Sequence, residues 1–169
     1  NSLVFPTVVP TPVVAFGVRR NSCDLGVMIT ASHNPSSDNG CKIFLSDGAQ
    51  LRSPEDEVIE AHIQRSKFPP RGIAKGKGEI REIDNELWNE YCSAIANTVP
   101  KLSGSLTIAY TPMHGVGWAT VQRVFSLAGV TNLVTVPSQV QPDPDFPTSP
   151  FPNPEIRGSM DELFKVARK

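Results

Sequence analysis

Along this chain the spacing of apolar residues changes several times, and each change marks a different element. Leu25-Gly-Val-Met-Ile-Thr30 is a short apolar run that stops at a polar loop, the pattern of a buried strand. Lys42-Ile-Phe-Leu45 reads as a second strand and Ser46-Asp-Gly48 as the turn after it. Before them, Leu3 to Val18 mixes apolar residues with Pro6, Pro10 and Pro12, which break it into extended pieces. Thr11-Pro12 is placed to begin a helical turn. From Ser53 to Gln64 the signals are helical: Ser53 as N-cap, Pro54 at the first position, and acids in the first turn. A further helix is expected from Asp84 to Val99, with Leu87, Trp88, Tyr91, Ile95 and Val99 on one apolar face.

The second half repeats the alternation. Leu106 to Tyr110 reads as a strand, Val116 to Leu127 as a helix with Gly129 as its C-cap, and Leu133 to Val136 as another strand. Pro137 to Pro154 is proline-dense and is expected to be an extended loop, and Ser159 to Lys169 resumes a helix. Strand, helix, strand, loop and helix in this order argue for a parallel α/β unit. Lys67 to Lys77, rich in Pro, Gly and basic residues, is a surface connection, and a unit boundary is expected near Leu102 to Ser105.

Composition narrows the class. Hydrophobic residues make up 39% and charged residues 20% of 169, enough for one ordinary domain or two small ones in a soluble globular protein. A formal net charge of −1 leaves no electrostatic footprint for nucleic acid or an anionic membrane surface. Cys23, Cys41 and Cys92 lack metal-type spacing, which points to free thiols in a reducing compartment. No apolar run approaches the roughly 20 residues that span a bilayer. The start lacks the basic region of a signal peptide, so a cytoplasmic protein is expected. The missing initial Met and the helical pattern running into Lys169 lead us to expect an internal fragment.

Candidate chemistry gathers in Thr30-Ala-Ser-His-Asn-Pro35, followed by Asp38-Asn-Gly40 and Lys42. Phosphoryl transfer calls for a hydroxyl on an exposed turn after a strand, cations to spread phosphate charge, and a group that handles protons. Ser32 supplies the hydroxyl; His33 and Lys42 are candidate proton handlers or charge stabilisers. Asn34 and Asn39 can donate to phosphate oxygens, and Gly40 permits a close backbone approach. On residues alone the same stretch also fits a plain turn, because Asn and Pro are ordinary turn residues.

Gly26 to Leu51 closely resembles the active-serine segment of the α-D-phosphohexomutases, whose pattern T-A/G-S-H-N-P, gap, N-G-x-K is matched throughout. Tyr110-Thr-Pro-Met-His-Gly-Val-Gly117 resembles the opening of that family's second domain. Pro142 to Pro147 and Phe151 to Glu155 resemble the loop before its metal segment. The wording is nearest the phosphoglucomutase/phosphomannomutase branch. The resemblance implies an α/β fold with mixed or parallel sheets flanked by helices. It also implies two partial domains, residues 1–102 and 103–169, the second ending before the metal loop.

By the same resemblance Ser32 is the phosphorylated serine of an enzyme interconverting hexose 1-phosphate and hexose 6-phosphate, of glucose or mannose, through a bisphosphate. Mg²⁺ is the implied cofactor, with Ser32 a ligand through its phosphate and the Asp ligands lying outside this chain; glucose 1,6-bisphosphate is the implied activator. The isolated chain is expected to be inactive. The rival readings are a phosphopentomutase or phosphoglucosamine mutase, and a non-catalytic relic that binds a phosphosugar.

Other residues receive plainer readings. Asp143-Pro-Asp145 is loop chemistry rather than a metal site, and Gly115-Val-Gly117 is a packed strand-to-helix turn rather than a dinucleotide fingerprint. His114 is expected to order that turn rather than to catalyse. Arg19, Arg20 and Arg65 read as solvated surface charges, and Trp88, Tyr91 and Trp118 as core or junction packing.

Overall fold

The computed structural model describes residues 1–66, 77–102 and 104–169, so most of the basic connection from Lys67 to Lys77 lies outside the described residues. Three two-stranded sheets carry the fold among them. Strand β1 (Ser2–Val4) pairs in parallel with β4 (Ile80–Glu82), and β2 (Leu25–Ile29) pairs antiparallel with β3 (Cys41–Leu45). In the second half β5 (Thr107–Tyr110) pairs in parallel with β6 (Asn132–Thr135), as expected of an α/β unit.

Helix α1 runs from Thr11 to Arg20. Pro12 sits in its first turn, where a missing N–H costs nothing, so the opening prolines start a full helix rather than only extended pieces. Val13, Val14 and Val18 form the apolar stripe of α1 and close over Phe44 of β3, with Val9, Phe5, Met28, Trp88 and Tyr91 packed around them. Helix α2 (Glu55–Arg65) follows, but Ser53 does not cap it. Pro54 occupies the N-cap position, and no side chain there accepts a hydrogen bond.

Helix α3 (Asn85–Ala96) begins as expected, with the Asp84 carboxylate accepting the Glu86 N–H at 3.0 Å. Its buried stripe is Leu87, Cys92 and Ala96, with Trp88 and Tyr91 half-buried beside it, whereas Ile95 and Val99 are exposed. The helix stops at Ala96, so Val99 falls beyond its last turn. Helix α3 packs against α1 on one side and α4 (Trp118–Ala128) on the other. The Trp88 indole N–H donates to the Thr120 hydroxyl at 3.0 Å across that second contact. Helix α4 ends at Gly129 in the left-handed region, the expected C-cap. Pro137–Gln139 forms a single 3-10 turn, and helix α5 (Asp161–Ala167) packs on β5 and β6.

Two further sequence readings need correction. Strand β2 is buried on one face only: Gly26 and Met28 face α1, whereas Leu25, Val27 and Ile29 are 45%, 51% and 73% exposed. Alternation puts these three on the opposite face, and nothing among the described residues covers it. Arg20 is not merely solvated. Its guanidinium forms a two-bond fork with the Glu90 carboxylate, at 2.6 and 2.9 Å, tying α1 to α3.

Candidate active site

The Thr30–Gly40 loop is a compact excursion between two paired strands. The Thr30 N–H donates to the Gly40 carbonyl at 3.0 Å and closes its neck. Inside, the Asn34 N–H donates to the Ala31 carbonyl and the Asp38 N–H to the Pro35 carbonyl, so the loop is two successive tight turns. Gly40 is required at the neck: a Cβ there would lie 2.3 Å from the Thr30 carbonyl oxygen. No side chain fits without separating β2 from β3.

Ser32 sits on the first turn with φ of 59°, a left-handed conformation that costs a non-glycine residue about 1–2 kcal/mol. Its N–H donates to the Thr30 hydroxyl at 3.1 Å, which helps to hold this geometry. Ser32 itself is exposed. Ser32, His33 and Lys42 all line one open cleft of about 1500 Å³. Lys42 reaches it from β3, opposite Met28 in the register. Asn34 and Asn39 are exposed on the outer part of the loop and are not among the cleft-lining residues; Gly40 serves the loop neck instead.

The second half of the chain lines the same cleft. Tyr110 ends β5, and Thr111 to Val116 continue along the cleft. Burial pushes the Tyr110 phenol above its ordinary value, and its ring stacks on Trp118 with centroids 6.0 Å apart. Met113 and His114 are consecutive left-handed residues, at φ of 50° and 63°, and both are buried. Such a pair persists only where its surroundings over-determine it. The His114 ring nitrogen Nε2 lies 2.8 Å from the Thr148 hydroxyl, which fits the ordering role expected for it. Gln139 and Thr148, the residues that surround His114, went unrecognised in the sequence. A glutamine and a threonine in a proline-dense stretch carry no periodic signal, and only the fold shows Gln139 fully buried.

Donor chemistry decides whether a metal fits. Among the described residues no three His, Cys, Asp or Glu side chains gather into a group that could hold an ion. Asp38 is exposed and hydrogen-bonded to the neighbouring Ser37 hydroxyl, and Asp143 uses a carboxylate oxygen to accept the Asp145 N–H. Mg²⁺ needs an octahedral oxygen shell. These residues alone do not supply one.

Comparison with known proteins agrees with this architecture. Residues 1–70 match the family described as phosphoglucomutase/phosphomannomutase, alpha/beta/alpha domain I, and residues 89–169 match domain II. A provisionally named phosphomannomutase of Haemophilus influenzae is 34% identical over 169 residues, covering 98% of this chain and 35% of the relative. The phosphoribomutase of Saccharomyces cerevisiae is 33% identical, covering 95% of this chain and 29% of its own length. A glucose 1,6-bisphosphate synthase of Homo sapiens is 34% identical, with 98% of this chain and 28% of the relative covered. A solved structure from Thermus thermophilus, provisionally assigned as a phosphomannomutase, superposes with a TM-score of 0.78 over 97% of this chain and 36% of that one. At 24% identity it speaks for the fold alone. The chain thus spans about a third of the length of the relatives it matches, and it belongs to the phosphoglucomutase/phosphomannomutase family.

Proposed function

We propose that this chain supplies the serine loop and a second cleft wall of a mutase that moves phosphate between two positions of a sugar. The observation that carries the reading is Ser32: an exposed hydroxyl on a left-handed turn, in one cleft with His33 and Lys42. Phosphorylated Ser32 gives its phosphoryl group to a sugar monophosphate. The bond from phosphorus to the serine oxygen breaks and that oxygen takes up a proton, while a bond to a sugar hydroxyl oxygen forms and a base takes the proton of that hydroxyl. The resulting bisphosphate turns round, and the serine takes back the other phosphate. Lys42 and His33 spread phosphate charge, and Lys42 is our candidate for the proton transfers. The two units we assign, residues 1–102 and 103–169, contribute one wall each.

The specific substrates we propose are hexose 1-phosphate and hexose 6-phosphate, of glucose or mannose. Glucose 1,6-bisphosphate would phosphorylate Ser32 and so act as activator. Mg²⁺ would take one oxygen from the phosphate on Ser32 and neutralise charge, its carboxylate ligands coming from outside this chain. Three free thiols suit a reducing, cytoplasmic setting. No helix among the described residues is long and apolar enough to cross a membrane. A second reading, a pentose phosphate mutase, is favoured by the phosphoribomutase relative.

The test is phosphopeptide mapping of the full-length protein after incubation with glucose 1,6-bisphosphate. One phosphate on the Ser32 peptide, absent in Ser32→Ala, is expected; an unphosphorylated peptide would turn the loop into a phosphosugar-binding device. Relative kcat/KM for glucose 1-phosphate, mannose 1-phosphate and ribose 1-phosphate separates the hexose from the pentose reading.

A further inference from the structure

The left-handed Met113-His114 turn is fastened by side chains joined in an unbroken run of hydrogen bonds. The Met113 backbone N–H donates to the Thr111 hydroxyl at 3.0 Å. The Thr111 hydroxyl donates to Gln139 Oε1 at 2.6 Å. Gln139 Nε2 then donates to the Thr148 hydroxyl at 2.8 Å. Given to His114 Nε2 at 2.8 Å, the remaining proton of Thr148 makes that nitrogen the acceptor, the direction in which His114 carries its own proton on Nδ1. Two backbone bonds close the arrangement: the His114 N–H donates to the Gln139 carbonyl, and the Asp143 N–H donates to the His114 carbonyl, both at 3.0 Å.

We propose that Thr111, Gln139 and Thr148 are positioning residues, a directed chain of hydrogen bonds that locks His114 and sets its wall of the Ser32 cleft. Gln139 is fully buried and His114 is 4% exposed, so water does not readily reach the inner links, while Thr148, which joins their side chains, is exposed at the outer end. The proline-dense segment from Pro137 to Pro150 thereby acquires a role, because it delivers Gln139 and Thr148 to the back of the turn. Gln139 and Thr148 are not among the cleft-lining residues, whereas Thr111 is. They act through the placement of Met113, His114 and Gly115, which line the cleft. Placement matters because a shift of about 1 Å in a positioning wall can cost on the order of 100-fold in rate.

The activity arm rests on the mutase reading; the spectroscopic arm does not. In the full-length protein, Thr148→Val and Gln139→Leu are expected to lower kcat at least about 10-fold with KM changed little. Thr148→Ser keeps the hydroxyl and should return kcat to within about twofold of the parent. A Thr148→Val enzyme with parental kcat, or a Thr148→Ser enzyme as impaired as Thr148→Val, would overturn the proposal. The second arm needs no variant to fold beyond one for assignment. Selective ¹⁵N-histidine labelling, with His114 assigned from His114→Gln, should show an unprotonated Nε2 and a protonated Nδ1. A proton on Nε2 would break the directed chain and sink the proposal. If the parent turns over no sugar phosphate at all, the mutase reading fails while the histidine spectrum still decides the lock.

Discussion

At the scale of single residues, the loop depends most visibly on what Gly40 lacks. A Cβ placed 2.3 Å from the Thr30 carbonyl oxygen must push either strand aside, and the obstacle is backbone rather than a flexible side chain. Gly40→Ala is therefore expected to displace Ser32 and to cut Ser32 phosphorylation at least about 10-fold. Phosphopeptide mapping of the variant checks this, and phosphorylation at the parental rate would show that the neck tolerates a methyl group. The cysteines give a second residue-scale prediction. Cys41 is exposed beside Lys42, while Cys92 is fully buried on α3, where burial pushes its thiol up. A thiol reagent should modify Cys41 in the native protein and Cys92 only after unfolding. Equal rates at the two sites would mean that α3 is not packed as described.

At the scale of elements, the sequence was most legible where chemistry is local. Thr11-Pro12, Asp84 and Gly129 each mark a helix end that the structure also has, because caps and φ restrictions act within a few residues. Legibility failed where the answer depends on distant partners. The face of β2 that is buried was set by the arrival of α1, and Cys92 rather than Ile95 points inward because α3 lies between α1 and α4. The tie between α1 and α3 also joins residues far apart, Arg20 and Glu90. The guanidinium fork, followed by its positive charge, holds the Glu90 carboxyl below its ordinary value. A carboxyl lowered on folding contributes stability above its unfolded pKa and loses it as pH falls through the folded value. Glu90→Gln should therefore cost little, and that little only at neutral pH, since the pair is solvent-exposed. Melting temperatures should converge with the parent in acid; a gap that persists at low pH would assign the effect to something other than the charge.

At the scale of the whole molecule, the outer face of β2 is the feature that most constrains what the chain does by itself. Leu25, Val27 and Ile29 form a continuous apolar row, and β1 adds exposed Leu3 and Val4 along the same cleft. Sheets flanked by helices in α/β folds are ordinarily covered on both faces, and an uncovered row of this kind weakens cooperativity because the strand gains burial from one side only. The relatives are about three times as long as this chain, and on the proposed reading the remainder of such a protein covers β2 and brings carboxylates to the phosphate on Ser32. The purified 169-residue chain is then expected to bind a hydrophobic dye such as ANS strongly and to show no measurable turnover in a coupled mutase assay. The full-length protein should do the reverse on both counts. Turnover by the isolated chain at the full-length rate would require that Ser32, His33, Lys42 and the His114 wall suffice for the chemistry, and the need for an external metal shell would be lost with it. Weak dye binding together with absent turnover would separate the two effects, placing the deficit in the missing ligands rather than in an unsupported sheet.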